Sequence, residues 1–170
     1  MMAGRATPDP ALVAELRQMV AEPKLWVASH EIDWVDAGGR PKGMKFRHGL
    51  AMDGGLQPES LFVQGYFKPS MLDEDKLSLG LFYKNHRILG LDEDGVSRHR
   101  NDVGRGRLHF GNSVHHPHLH SISDDGIDGY AEPIPRTSYP DYWAEFLRVC
   151  NIANGPEFYL PPVQRELLPL

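Results

Sequence analysis

The chain has 170 residues, of which 41% are hydrophobic and 24% are charged, and it carries one cysteine, Cys150. This composition predicts one globular domain over residues 1–170. A single cysteine excludes an internal disulfide, and the sequence predicts neither a transmembrane helix nor a signal peptide. We therefore expect a cytoplasmic protein without membrane contact. The net charge of −5 argues against a broad nucleic-acid-binding surface, although the arginines around residues 98–107 are close enough in sequence for a local basic patch.

The N-terminal segment predicts one helix packed on a sheet. Residues 1–8 are predicted to be disordered, and Asp9 and Pro10 are the residue types of an N-cap and of a first helical position. Apolar residues then recur at helical spacing, at positions 12, 13, 16, 19 and 20, and Pro23 ends the helix.

Three strands are predicted in the next part of the chain. Residues 24–36 alternate, with Trp26 and Trp34 on the apolar face, which predicts one long half-buried strand. After a glycine-rich turn at residues 37–41, residues 44–50 are expected to return as the second arm of a hairpin. Residues 60–68 predict a third strand, with Leu61, Val63 and Phe67 directed inward.

The second half of the chain continues with hairpins and ends in a helix. Residues 77–83 and 87–92 predict a hairpin, and residues 96–106 predict an arginine-rich loop. We expect residues 107–110 and 117–123 to pair as short strands, and residues 138–151 to form a helix before an extended tail at 156–170. Together these elements predict an α+β fold, a twisted antiparallel sheet built from hairpins with two packed helices.

Histidines are concentrated in one short stretch. Five of the nine histidines lie between residues 107 and 121. On a strand through this stretch, side-chain alternation places His116, His118 and His120 on one face. Imidazole has the unperturbed pKa nearest neutrality, so it serves as a general acid, a general base or a metal ligand. The stretch therefore predicts a functional site, with more than one chemistry open to it.

One interpretation is acid–base catalysis without a cofactor. His118 and His120 would flank a phosphodiester, one taking a proton from a ribose 2′-hydroxyl and the other protonating the leaving oxygen. His99 would orient the catalytic imidazoles. The remaining candidates would bind the phosphate and stabilise its charge: Arg98, Arg100, Asn101 and Arg107.

Two other interpretations stay open. His116, His118 and His120 are alternatively ligands of zinc or manganese, with His99, His109 and Asp92 or Asp94 available to complete the site. No zinc-binding spacing such as His-Glu-x-x-His is present. Alternatively, the histidines only hydrogen-bond to the backbone or to carboxylates at a sheet edge or a subunit interface.

The second half of the chain resembles an uncharacterised family of small bacterial proteins. The resemblance covers residues 77–155 and rests on five motifs in order: Leu89-Gly90-Leu91-Asp92, His99-Arg100-Asn101, Pro117-His118-Leu119-His120, Tyr130-Ala131-Glu132-Pro133-Ile134 and Cys150-Asn151-Ile152. A looser similarity, carried by Asp92, His99, His118 and His120, is to the TumE-like toxins of bacterial toxin–antitoxin pairs. That similarity implies a small antiparallel sheet with helices and a ribonuclease-like activity.

The sequence therefore leads to three functional hypotheses. The first is a metal-independent ribonuclease-like or phosphodiesterase-like protein of toxin–antitoxin type that acts on RNA or on a small phosphodiester. The second, which suits the acidic charge, is a non-catalytic protein that binds a protein partner, such as an inhibitor or antitoxin encoded by a phage or mobile element. The third is a metal-dependent hydrolase that uses the same histidines. The oligomeric state does not follow from the sequence.

Overall fold

A computed structural model describes residues 5–70 and 74–161 of the chain. The two described helices and eleven described strands are α1 (Pro10–Ala21), β1 (Lys24–Trp26), β2 (Val35–Gly38), β3 (Gly43–Met52), β4 (Phe62–Lys68), β5 (Lys76–Tyr83), β6 (His86–Asp94), β7 (Arg98–Arg100), β8 (Ser113–His115), β9 (His118–Ser123), β10 (Gly126–Pro133), α2 (Tyr139–Val149) and β11 (Ile152–Ala153). The predicted α+β fold is confirmed. Neither helix has the length and apolar character needed to cross a membrane.

Most of the described strands belong to one twisted sheet. Its order is β10-β9-β6-β5-β4-β3-β1-β11, and β2 pairs with the other end of the long strand β3. All of these pairs are antiparallel except β1 with β11. Strands β7 and β8 form a separate ribbon of two strands. The sheet is thus a series of hairpins, as the short connections in the sequence indicate.

One face of the sheet carries the hydrophobic core. Leu77, Leu79 and Leu81 of β5 are fully buried on this face and join a cluster that includes Leu16 of α1 and Phe146 of α2. Each helix begins as predicted, because the side chains of Asp9 and Ser138 accept hydrogen bonds from the backbone of the first turn. Both helices therefore stabilise the core face.

The predicted β5–β6 hairpin is confirmed and supports the second face of the sheet. Its two-residue turn, Lys84-Asn85, has positive φ at both positions, which is the backbone geometry that matches the twist of antiparallel strands. On the face opposite the core, the same two strands present Ser78 and Gly80 beside Gly90 and Asp92. The candidate functional site lies on this second face.

The prediction of one long strand over residues 24–36 is wrong. The chain forms β1 and β2 at the two ends of this segment, and residues 27–34 between them form no strand. Both tryptophans still pack against the core, because the rings of Trp26 and Trp34 each lie beside the ring of Phe46. The apolar residues Trp26 and Trp34 of the alternating segment therefore both pack beside Phe46, although they do not lie on one strand.

The predicted pairing of residues 107–110 with 117–123 is also wrong. Residues 107–110 form turns, β8 pairs with β7, and β9 pairs with β6 and β10. The predicted disordered segment and tail lie partly outside the described residues, at 1–4 and 162–170. In the described remainder, residues 5–9 and 156–161 contain no helix or strand.

The cysteine at the end of α2 is expected to be unreactive in the native protein. Cys150 is fully buried, and burial raises the pKa of its thiol well above the ordinary range. Because the thiolate is the reactive species, we expect Ellman's reagent to label the native protein only as fast as it unfolds, and to label one thiol per chain in guanidinium. Immediate labelling of the native protein would contradict this burial.

Candidate metal centre

Two histidines of β9 meet on the second face of the sheet. His118 and His120 lie two residues apart, so alternation places both side chains on the same face, as predicted. Their Nε2 atoms are 2.9 Å apart. The register pairs His118 with Asp92 and His120 with Gly90 of β6. The Oδ2 atom of Asp92 consequently lies 3.1 Å from Nε2 of His120 and 3.9 Å from Nε2 of His118.

A third histidine comes from the ribbon of β7 and β8. His99 is half-buried in β7, and its ring lies within 5.4 Å of the ring of His118 and 4.8 Å of the ring of His120, measured between centroids. One ring nitrogen from each of the three histidines falls within 4.8 Å of the others. Among the residues that the structure describes, they form the one such group of potential metal ligands.

Asn101 fixes the position of His99. Its side chain is fully buried, accepts a hydrogen bond from the backbone nitrogen of Ala131 at 2.8 Å, and donates to the carbonyls of Ala131 and His109. These bonds tie the ribbon to β10. The sequence suggested Asn101 as a phosphate-binding residue, whereas the structure gives its amide a positioning role two residues from His99.

A buried ion pair holds the carboxylate of Asp92. Arg87 donates to both of its oxygens, at 3.1 and 2.7 Å, and the hydroxyl of Ser78 donates to Oδ1 at 2.7 Å. Burial by itself raises the pKa of Asp92, but the hydrogen bond from His120 and the charge of Arg87 outweigh it, so this pKa lies well below its usual range. Asp92 is therefore ionised at neutral pH.

A β-bulge and two glycines allow Arg87 to reach Asp92. The register shifts by one residue at Ile88, which brings Arg87 onto the same face as Gly90 and Asp92. The arginine side chain then crosses the paired glycines Gly80 and Gly90. A Cβ on Gly90 would lie 2.2 Å from the guanidinium carbon of Arg87, and one on Gly80 would lie 3.0 Å from its Nε.

Hydrogen bonds to backbone carbonyls fix the position of the proton on two of the three rings. Nδ1 of His118 lies 3.2 Å from the carbonyl of His115, and Nε2 of His99 lies 2.6 Å from the carbonyl of Gly129. Because a carbonyl only accepts, each of these nitrogens carries the proton, and the other nitrogen of each ring is an acceptor. This is the arrangement that metal-binding histidines adopt.

The third ring has an orphaned polar atom. Nδ1 of His120 is buried without a hydrogen-bond partner, and the nearest carboxylate oxygen, from Asp128, is 3.7 Å away. If Nε2 of His120 binds a cation, the proton resides on Nδ1, where it faces the negative charge of Asp128. A bound metal ion would therefore replace an unpartnered buried lone pair with an N–H group that faces a carboxylate oxygen 3.7 Å away.

The cluster is mostly enclosed. The side chains of His118 and His120 are 1% and 8% exposed, and that of Asp92 is 18% exposed. Burial, together with the neighbouring rings of His116 and His120, lowers the pKa of His118 to about 3. His118 is therefore neutral over the physiological pH range, as a metal ligand has to be.

Several predicted site residues lie elsewhere. Arg98 and Arg100 are exposed on the side of β7 opposite His99, and Arg100 pairs with Asp102. Arg107 contacts the ring of Tyr130 and donates to Ser121, on the other face of β9 from the paired histidines. None of the three arginines contacts the histidine cluster in the part of the chain that the structure describes.

His116 is close to the cluster but is not one of its three converging ligands. Its ring lies 4.0 Å from that of His118, and its Nδ1 atom is 3.3 Å from the backbone carbonyl of Asp92. Since β9 begins at His118, the alternation that was expected to include His116 does not extend to it. The sequence offered His116, His118 and His120 as an alternative ligand set, whereas the three ring nitrogens that converge belong to His99, His118 and His120.

Arg87 and Ser78 are site residues that sequence reasoning missed. The signal was the glycine at the centre of each predicted hairpin arm, in Leu79-Gly80-Leu81 and Leu89-Gly90-Leu91. A glycine inside a strand marks a place where another group approaches the backbone closely. Paired glycines beside an arginine and an aspartate on one hairpin indicate a side chain that crosses the sheet.

Comparisons with known proteins do not place the chain in a family. No family model, no curated protein and no solved structure matches it.

The close fit of Arg87 over Gly90 predicts a specific stability cost. In Gly90→Ala the new methyl group displaces the guanidinium from Asp92, so we expect a loss of about 1–3 kcal/mol in the free energy of unfolding. The matched control is Gly49→Ala in β3, where nothing lies within 4 Å of the added Cβ. Urea denaturation measures both changes.

A double-mutant cycle tests the cause. In an Arg87→Ala background, Gly90→Ala is expected to cost no more than Gly49→Ala, because the colliding group is gone. An undiminished cost in that background would mean that the methyl group collides with another part of the sheet.

Proposed function

We propose that the chain is a metal-dependent hydrolase whose zinc ion is held by His99, His118 and His120. The observation that carries this proposal is the convergence of three ring nitrogens within 4.8 Å. Two of the rings donate their other N–H to a backbone carbonyl. Three histidines are a known ligand set for catalytic zinc, because they leave one coordination position for water or substrate.

The distance between the paired histidines favours a metal over the acid–base pair suggested by the sequence. An acid and a base that flank a phosphodiester need space for the phosphate between them, whereas the two Nε2 atoms are 2.9 Å apart. Two nitrogens on one zinc ion at 2.0–2.1 Å and a tetrahedral angle lie about 3.3 Å apart. The observed separation is a few tenths of an ångström from that value.

The donor atoms favour zinc over manganese. Imidazole nitrogen suits zinc, copper, nickel and iron, whereas manganese prefers sites rich in carboxylate and water oxygens. The cluster offers three imidazoles and a single carboxylate, Asp92. A zinc ion in such a site supplies a nucleophile at neutral pH by lowering the pKa of its water, and it polarises the bond to be hydrolysed.

The chain's own residues position the reaction. Arg87 keeps the carboxylate of Asp92 ionised, and its Oδ2 atom faces the histidines, so it can accept a hydrogen bond from a proton-bearing group beside the ion. Arg87 and Ser78 hold this carboxylate in place. Asp128 lies on the far side of His120, where it supports the N–H of the metal-binding tautomer.

A second candidate function rests on the burial of the cluster. His118 and His120 are almost fully enclosed, and Asp92 is near enough to His120 to serve as a fourth ligand. Four protein ligands in a buried position are typical of structural zinc. In that case the chain is a non-catalytic protein, stabilised by its metal, that acts by binding a partner.

Metal content tests the site directly. Protein purified without a histidine tag is expected to hold about one zinc ion per chain, measured by plasma mass spectrometry. His118→Gln and His99→Gln are each expected to lower the zinc affinity by at least about tenfold. His30→Gln is the matched control, because His30 is exposed and lies outside the cluster. Equal zinc content in all four proteins would refute the site.

Hydrolysis separates the two candidate functions. Zinc-loaded protein is expected to hydrolyse bis(p-nitrophenyl) phosphate or p-nitrophenyl acetate, and to lose this activity on chelation and regain it with zinc. Asp92→Asn is expected to lower kcat by about 10–100-fold, because the neutral amide is a weaker acceptor. Bound zinc without hydrolysis, together with a large fall in Tm on chelation, would support the structural role instead.

A further inference from the structure

We propose that the exposed part of the second sheet face binds single-stranded nucleic acid and leads it to the metal centre. The residues of this surface, called the basic face here, are Lys45, Arg47, Phe62, Gln64, Tyr66 and Lys68 of strands β3 and β4. Binding to this surface depends only on these residues. Delivery of a phosphodiester to zinc rests on the proposed hydrolase function.

The register of the sheet joins the basic face to the metal centre. Arg47 pairs with Gln64, and the same row continues through Gly80 and Gly90 to His120. A second row runs from Lys45 and Tyr66 through Ser78 and Asp92 to His118. With strands about 4.8 Å apart, Arg47 and His120 are about 19 Å apart across the sheet.

The positive charges of the basic face are available to a partner. Lys45, Arg47 and Lys68 form no ion pair within residues 5–70 and 74–161, and Lys45 and Arg47 are exposed. By contrast, Lys76 and Arg87 on the same face are paired with Asp94 and Asp92. The chain as a whole is acidic, so a group of cations that pair with none of the described carboxylates indicates a local anion-binding surface.

Planar groups lie among these charges. The guanidinium of Arg47 stacks on the ring of Phe62 at 3.6 Å, and Phe62 stacks on Phe82 with centroids 5.1 Å apart. Tyr66 is half-buried, with its ring over Gly43 of the next strand. Arginine planes and aromatic rings on a sheet are the surfaces on which unpaired bases stack.

The combination favours a single strand over other anions. An acidic protein segment would be attracted by the lysines but would gain little from the planar groups. A duplex hides its bases and presents only phosphate to a flat sheet. A single strand offers both phosphates and base faces, and four-stranded sheets with exposed aromatic residues accommodate two or three bases.

Binding is tested apart from hydrolysis. We expect metal-free wild-type protein to bind fluorescein-labelled oligouridylate or oligothymidylate by fluorescence anisotropy, with affinity that falls as salt rises. Lys45→Ala/Arg47→Ala is expected to weaken binding by about tenfold or more and to reduce the slope of log K against log salt by about 1.4, the value for two lost contacts with a single strand.

The matched control removes the same charge from another surface. Arg98→Ala/Arg100→Ala alters two exposed arginines of β7 and is expected to change the affinity by less than about twofold. A third variant, Tyr66→Leu, keeps an apolar side chain but loses the stacking ring, and is expected to weaken binding by about fivefold or more. Circular dichroism confirms that each variant is folded.

The outcomes separate this inference from the proposed function. No binding by the wild type, equal losses in both double variants, or equal affinity for polyglutamate would overturn the basic face as a nucleic-acid surface, and none of these results alters the zinc measurement. If metal-free protein binds the oligonucleotide, and protein purified without a histidine tag contains no zinc, the basic face is supported and the hydrolase is refuted.

Discussion

The contact between Arg87 and Asp92 is the interaction on which the site depends. Both side chains are mostly buried, at 16% and 18% exposed, and the guanidinium binds both carboxylate oxygens. Removing one member of such a buried pair leaves the other charge uncompensated, which typically costs about 3–5 kcal/mol. The pair places one fixed negative charge beside His120, and it explains why the adjoining strands carry glycines at their centres.

The two faces of the sheet differ in polarity. The core face is closed by both helices and holds mainly leucines and aromatic rings, and the buried carboxylate of Glu93 accepts a hydrogen bond from Tyr142. The second face is crossed by Arg87, carries the carboxylate of Asp92, and is only partly covered by the ribbon of β7 and β8. Stability thus comes mainly from one face, which leaves the other free to hold polar groups in fixed positions.

The ribbon of β7 and β8 brings His99 to the paired histidines of β9, which lie about 20 residues later in the chain. His99 pairs with the buried Val114 of β8, so the ribbon gives its imidazole a defined position. The buried amide of Asn101 bonds to the backbone of Ala131 and so fixes the ribbon on β10. A histidine and an asparagine two residues apart therefore act as one unit, in which the amide holds the strand that carries the imidazole.

The sequence by itself determined the α+β class, both helix starts, the β5–β6 hairpin and the shared face of His118 and His120, because N-caps, turns and alternation are local properties. The sequence named both His99 and His116 as possible partners of this pair, and only the tertiary structure decided that His99 is the third converging ring. It also decided that Arg87, rather than the arginines of the loop, serves the site. Those outcomes depend on strand register and on a one-residue bulge, which join residues far apart in the chain.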